Sequence, residues 1–204
     1  MKTRWEKFYK ETPLEKIPWN KTQADYFMKL LNSGKLGKGK ALDLGCGVGK
    51  KSIELAKKGF EVIGIDISAT AINHAKKNVK EANIKVKFIQ GDATDLSFLG
   101  KGKFSFVLDW ANLHCVPKTK QKKYVKGIVE HLKRGGRLLL RCFNKYKISP
   151  NEIGFITPMG NIYLFSNEDI QALYGKYFTI LEKNRSKPFR HHYRWFDEYL
   201  MERK

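Results

Sequence analysis

Short apolar runs alternate with amphipathic stretches from residue 40 onward. The runs at 40–44, 60–65, 85–89, 104–108 and 136–142 are rich in Val, Ile, Leu and Phe. Each predicts a buried strand. Helical spacing of apolar positions fills 50–58, 68–82 and 118–133. Strands and helices in alternation predict a doubly wound α/β sheet, parallel at its centre. Ser68 is suited to cap the second of these helices, and Lys133-Arg134-Gly135-Gly136 to close the third. Upstream, residues 1–36 read as an aromatic extension punctuated by Pro13 and Pro18. A helix is expected from about Lys21 to Leu31, with Ala24, Phe27, Met28 and Leu31 on one face. Downstream the pattern changes. Residues 144–166 carry Pro150, Gly154, Pro158 and Gly160 and predict a long irregular segment. Ser166 or Asn167 then caps a short helix over 168–174. Strands at about 178–185 and 192–202 have no helix between them and so must pair antiparallel.

The first strand runs into Asp43-Leu44-Gly45-Cys46-Gly47-Val48-Gly49, three glycines on alternate positions before a helix. Glycine lets a ligand lie against bare backbone, and the helix start adds free N–H groups and a positive dipole end. The second strand ends in Asp66, about 20 residues on. A glycine turn followed by an acid at the next strand end suits an adenosine-type ligand, the acid taking the ribose hydroxyls. The dinucleotide fingerprint G-x-G-x-x-G fails, because Lys50 stands where its third glycine belongs. A phosphate loop fails as well, with Leu44 and Lys51 at the two ends of the motif.

The spacing D-x-G-x-G-x-G resembles motif I of the class I S-adenosylmethionine-dependent methyltransferases, and the resemblance covers about residues 20–203. It implies a seven-stranded Rossmann-like sheet in the order 3-2-1-4-5-7-6 with strand 7 antiparallel. It further implies S-adenosylmethionine as cofactor and S-adenosylhomocysteine as product. Gly45, Cys46, Gly47 and Gly49 would supply the backbone cradle, and Asp43 would organise it. Asp66 would hold the ribose, Ile67 would pack on the adenine, and Asp92 with Ala93 would read its edge. Asp109 and Trp19 complete the expected cofactor contacts, with Trp19 and Tyr26 on an arm that could close over the ligand.

Asp109-Trp110 ends the fourth strand, and Asn112-Leu113-His114-Cys115-Val116-Pro117 follows. With Leu132-Lys133-Arg134-Gly135-Gly136-Arg137-Leu138, this block resembles the small-molecule branch of the family: the thiopurine, tellurite-resistance and ubiquinone-pathway types. Here Arg134 replaces a proline and a single His is present. The [DNS]-P-P-[YFW] motif of amino-methylating nucleic-acid enzymes is absent, as is the Pro-Cys pair of cytosine methylation. His114 is the candidate general base and Trp110 its companion; a satisfied local His is an equally good reading. Substrate specificity is expected in 144–166, at the carboxyl edge of the sheet.

Composition adjusts this picture in three places. The chain has 204 residues, suiting one methyltransferase domain over 1–204: arm 1–36, cofactor-binding core 37–143, and substrate loop, helix and hairpin 144–204. The net charge is +20, which invites a nucleic-acid or protein partner. Only 8 of the 40 basic residues are arginine, however, and lysine is the poorer reader of phosphates and bases. A small-molecule acceptor is therefore favoured. An RNA or protein methyltransferase, and a non-catalytic cofactor-binding partner subunit of the same fold, are the rivals. Three cysteines without C-x-x-C spacing suggest free thiols in a reducing cytoplasm. No apolar run approaches the roughly 18 residues of a membrane span, and no leader is expected. Adjacent His191 and His192 would face opposite sides of a strand, so no metal site is read. A monomer or a homodimer is equally compatible.

Overall fold

The computed structural model describes residues 2–20, 24–99, 104–146, 148–149, 152–186 and 194–204. Nine strands are assigned there: β1 Lys40–Leu44, β2 Glu61–Asp66, β3 Lys87–Gln90, β4 Phe104–Trp110, β5 Leu132–Phe143, β6 Gly154–Thr157, β7 Gly160–Tyr163, β8 Phe178–Ser186 and β9 Phe196–Arg203. The α-helices are α1 Lys2–Glu11, α2 Asp25–Asn32, α3 Lys50–Lys57, α4 Ala69–Glu81, α5 Lys118–His131 and α6 Asn167–Tyr174. Seven strands form one sheet in the order β3-β2-β1-β4-β5-β9-β8. The first five run parallel, and β9 enters antiparallel between β5 and β8. This is the expected 3-2-1-4-5-7-6 order, with β9 as the antiparallel seventh strand.

The alternation of side chains along β4 divides the core. Phe106 and Leu108 meet α2 and α3 through Phe27, Leu30, Leu31 and Leu55. Val107 faces the other way, onto Tyr124, Val125 and Ile128 of α5 and Ile170 and Tyr174 of α6. A strand with helices on both faces is apolar at nearly every position, which is why these runs do not alternate regularly with polar residues. Two caps behave as the sequence suggests. Ser68 Oγ accepts from Ala71 N at 3.0 Å, and Ser166 with Asp169 closes a reciprocal capping box on α6.

Several elements depart from expectation. The arm contains a helix, α1, whose Trp5, Phe8 and Tyr9 fall at i, i+3 and i+4 and pack with Trp19. α5 ends at His131 and β5 begins at once, because Leu132 pairs with Phe104 and its carbonyl accepts from the Arg203 guanidinium. The closing role given to Lys133–Gly136 is thereby lost, and these residues form an irregular stretch within the strand. The 144–166 segment holds a hairpin, β6–β7, tied at its turn by Thr157 Oγ1 donating to Gly160 O at 2.9 Å. α2 starts at Asp25, with residues 21–23 outside the described ones. The last strand is observed from Phe196; His191 and His192 lie outside the described residues.

Candidate active site

A cavity of about 330 Å³ opens at the carboxyl ends of β1, β2 and β4. Its base is the glycine loop. Gly45 has φ +67° and Gly47 φ +54°, values that suit residues without a side chain. A Cβ on Gly45 would lie 2.5 Å from Asn112 Oδ1, and one on Gly47 would lie 2.8 Å from Tyr9 Oη. Asp66 stitches the loop to the start of α4. Its Oδ2 accepts from Gly47 N and its Oδ1 from Ser68 N, both at 2.9 Å. Burial raises this carboxyl above its ordinary range, and the three amides of Ser68, Gly47 and Ile67 oppose it without prevailing. Below the loop, Asp43 accepts from Ser52 Oγ at 2.6 Å, which fixes the first turn of α3. Burial pushes the Asp43 carboxyl up and the neighbouring Lys51 amine down, while their mutual attraction restrains both shifts.

The cavity wall includes Asp43, Gly45, Cys46, Gly47, Asp66, Ile67, Asp92, Ala93, Trp110, His114 and Trp19. Two expected residues are not there. Gly49 caps α3 against Phe88 and Ala75 and lines none of the cavity. Asp109 is fully buried behind it, with Tyr124 Oη donating at 2.7 Å and the amides of Asn112 and Leu113 at 2.8 and 3.1 Å. Asp109 thus has its hydrogen bonds within the fold and does not line the cavity. Its carboxylate clamps the turn after β4, where Ala111 takes φ +76°, a conformation that costs about 1 kcal/mol without glycine. Burial lifts that carboxyl to about 6 against those three donors. Tyr26 is also misplaced by the sequence reading. It points to Glu182 on β8, donating at 3.4 Å, and does not line the cavity.

The arm covers one side. Trp5, Tyr9, Trp19 and Asn20 line the cavity, and Trp19 Nε1 donates to Tyr9 Oη at 3.3 Å. Glu6 latches α1 to the start of α4. It accepts from Ser68 Oγ at 2.8 Å, Thr70 N at 3.1 Å and Thr70 Oγ1 at 2.8 Å. Burial alone would raise the Glu6 carboxyl, but these bonds hold it down to about 2.

The opposite side is aromatic and cationic. His114 has its ring 4.6 Å from Phe143 and 6.1 Å from Phe196. Burial, with Arg141 close by, pulls its imidazole down to about 3. It is thus neutral at physiological pH and a weaker proton acceptor than a solvated imidazole. Arg141 lies 3.8 Å over Phe196 and 4.9 Å over Trp110, with Glu198 3.3 Å behind it. Lys51 stands 5.5 Å from the Trp110 ring, and Arg194 sits 4.4 Å over Phe155. Sequence reasoning missed Arg141, Lys51, Arg194, Phe196 and Tyr9. A legible signal existed for Arg141, the one charge inside Leu138-Leu139-Leu140-Arg141-Cys142.

A methyltransferase domain family matches residues 41–136, which ends before Arg141, Phe143, Phe155, Arg194 and Phe196. An uncharacterized methyltransferase of Schizosaccharomyces pombe is 31% identical over 118 residues, covering 58% of this chain and 80% of its own length. The 2-heptyl-1-hydroxyquinolin-4(1H)-one methyltransferase of Mycobacteroides abscessus is 29% identical, over 80% of this chain and 69% of its own. Among solved structures, the 1,6-didemethyltoxoflavin-N1-methyltransferase of Burkholderia thailandensis superposes with a TM-score of 0.79 at 17% identity, covering 99% of this chain and 86% of that one. The chain spans about half the length of several other curated relatives that it matches. The glycine loop, the acid-ended second strand and these matches together place the chain in the class I S-adenosylmethionine-dependent methyltransferase family.

Proposed function

We propose that the protein transfers a methyl group from S-adenosylmethionine to a small-molecule acceptor. One observation carries the reading. Asp66 and Gly47 are joined at 2.9 Å on the wall of a cavity at the carboxyl ends of the central strands, where open α/β sheets take their ligands. The residues fit the cofactor. At Gly45 and Gly47 a side chain would collide with its neighbours, so only bare backbone borders the cavity there. Three amides reach Asp66, and its carboxylate on the cavity wall keeps acceptor capacity for a ribose hydroxyl. Ile67, Asp92 and Ala93 would border the adenine, and Trp5, Tyr9 and Trp19 would exclude water from above. Bound S-adenosylmethionine supplies an activated methyl on a positively charged sulfur. The chain's part is alignment, which for in-line displacement is worth several kcal/mol.

Trp110 and His114, together with β6–β7, support an enclosed acceptor pocket of small-molecule size. The named activity of the Mycobacteroides relative is in keeping with such an acceptor. Calorimetry tests the reading. Asp66→Ala should weaken S-adenosylmethionine binding by roughly 2–3 kcal/mol, and Asp66→Asn by less. NADH should not bind. Unchanged affinity in Asp66→Ala, with the variant folded, would remove the assignment.

A further inference from the structure

Three nitrogens on one wall of the cavity, Trp110 Nε1, His114 Nδ1 and Arg194 Nη1, are buried and have no hydrogen-bond partner among the described residues, and Arg141 Nε beside them has only the Glu198 carboxylate, at 3.3 Å without hydrogen-bond alignment. An orphaned buried polar atom costs about 1–3 kcal/mol, and native structures carry few of them. Trp110 Nε1 and Arg194 Nη1 are obligate donors, and the guanidiniums of Arg141 and Arg194 are cations. Their counter-charges stand outside the cavity: Glu198 at 3.3 Å from Arg141 Nε and Glu152 at 2.6 Å from Arg194. Each ion pair therefore has its cationic member on the cavity wall and its anionic member behind it. The acids that do border the cavity, Asp43, Asp66 and Asp92, come from β1, β2 and the exit of β3, on the side proposed for the cofactor.

The same wall is aromatic between the donors. Phe143 and Phe196 stack at 4.1 Å with an interplanar angle of 26°, and Phe155 meets Phe143 edge-on at 5.6 Å. Arg141 and Arg194 each lie over one of these rings, so their guanidinium planes are held in place before any ligand arrives.

We infer that the methyl acceptor is a planar organic anion, a carboxylate, phenolate or enolate, whose charge is taken by Arg141 and Arg194 while its ring or conjugated body lies against Phe143, Phe155 and Phe196. The inference rests on the methyltransferase reading for its chemistry, although the anion site itself does not. An acceptor bound as an anion carries its own nucleophilic lone pair. That pair forms the bond to the methyl carbon as the carbon–sulfur bond breaks, and the bond's electrons remain on sulfur. The anion becomes a neutral ester or ether, the sulfonium a neutral thioether, and no proton has to leave. This accounts for a pocket whose one imidazole is held neutral and poorly basic.

Benzoate and benzamide, nearly equal in shape and different in charge, are the probes. Their binding is read by calorimetry at physiological salt, on the free protein and on the protein saturated with S-adenosylhomocysteine. Benzoate should bind at least roughly tenfold more tightly than benzamide. Arg194→Gln should lower benzoate affinity by roughly fivefold to tenfold and leave benzamide and S-adenosylhomocysteine within about twofold. Arg141→Lys keeps a cation beside Glu198, so the fold is preserved, and it should also weaken benzoate through loss of the planar fork. The inference is overturned if benzamide binds as well as benzoate, if benzoate ignores both variants, or if benzoate fails to bind at millimolar concentration. Failure of S-adenosylhomocysteine to bind the wild-type protein would instead sink the methyltransferase reading, and the benzoate comparison on free protein would still decide the anion site.

Discussion

Glu6→Ala isolates what holds the arm over the cavity. The wild-type carboxylate takes three hydrogen bonds from Ser68 and Thr70, at 2.8, 3.1 and 2.8 Å. It also stands at the positive end of α4. The side chain keeps 22% of its surface exposed, so water replaces part of what is lost. At about 1 kcal/mol net per bond, less that compensation, the latch contributes about 2–3 kcal/mol to arm docking. The aromatic cluster of Trp5, Phe8, Tyr9 and Trp19 supplies the remainder and is untouched by the substitution. Opening of the arm should therefore become about 30- to 150-fold more frequent. Amide hydrogen exchange across α1 reads this directly, and global stability in denaturant should fall by much less. Because Tyr9 rests on Gly47, S-adenosylhomocysteine affinity should fall with it. Exchange in α1 within about threefold of wild type would refute the reasoning, since no latch of this size could then exist.

Gly45→Ala should destabilise the protein by about 2–4 kcal/mol, combining a left-handed φ of +67° with a Cβ 2.5 Å from Asn112 Oδ1. Adding Asn112→Ala should recover the collision part and not the backbone part, and equal stability of single and double variants in urea would contradict this. His114 is held at about 3 when folded against an ordinary 6.5, so the unfolded chain binds a proton that the folded chain refuses. The associated stability is present above about pH 6.5 and is lost as pH falls towards 3, at up to about 1.4 kcal/mol per unit. His114→Gln should flatten that slope, and parallel stability curves for the two proteins between pH 7 and 4 would show that the imidazole is not buried neutral.

The central sheet was legible because buried parallel strands leave an unmistakable apolar signature, and because Asp43, Gly45, Gly47 and Asp66 sit at the ends of those strands. The arm helix was not, because its Trp5, Phe8 and Tyr9 are interleaved with Lys7 and Lys10 and find their partners only in Trp19 and the glycine loop. The β6–β7 hairpin hid behind Pro158 and Gly160, which read as breakers when they in fact make its turn. Asp109 looked like a ligand contact by sequence position, yet a seven-residue β4 turns it towards Tyr124, which no spacing rule anticipates. Arg194 and Phe196 reach the cavity from the far end of the chain, and only the strand order brings them there.

The insertion of β9 between β5 and β8 has a consequence for how the chain folds. Arg141 on β5 is paired with Glu198, a residue of β9 placed opposite it in the sheet register. Until β9 docks, β5 is the edge of the sheet and Arg141 can be solvated there; docking brings Glu198 to it as it becomes buried. The cavity wall at Arg141 is thus completed only when the late strands arrive. The two late strands are also zipped together by Asp197, which is gripped by Lys183 at 2.9 Å and Arg185 at 2.7 Å. Non-local pairing of this kind makes folding slow and all-or-none. A chain that has assembled only β1 to β5 would therefore have its glycine loop without Glu198 behind Arg141 or Phe196 on the cavity wall.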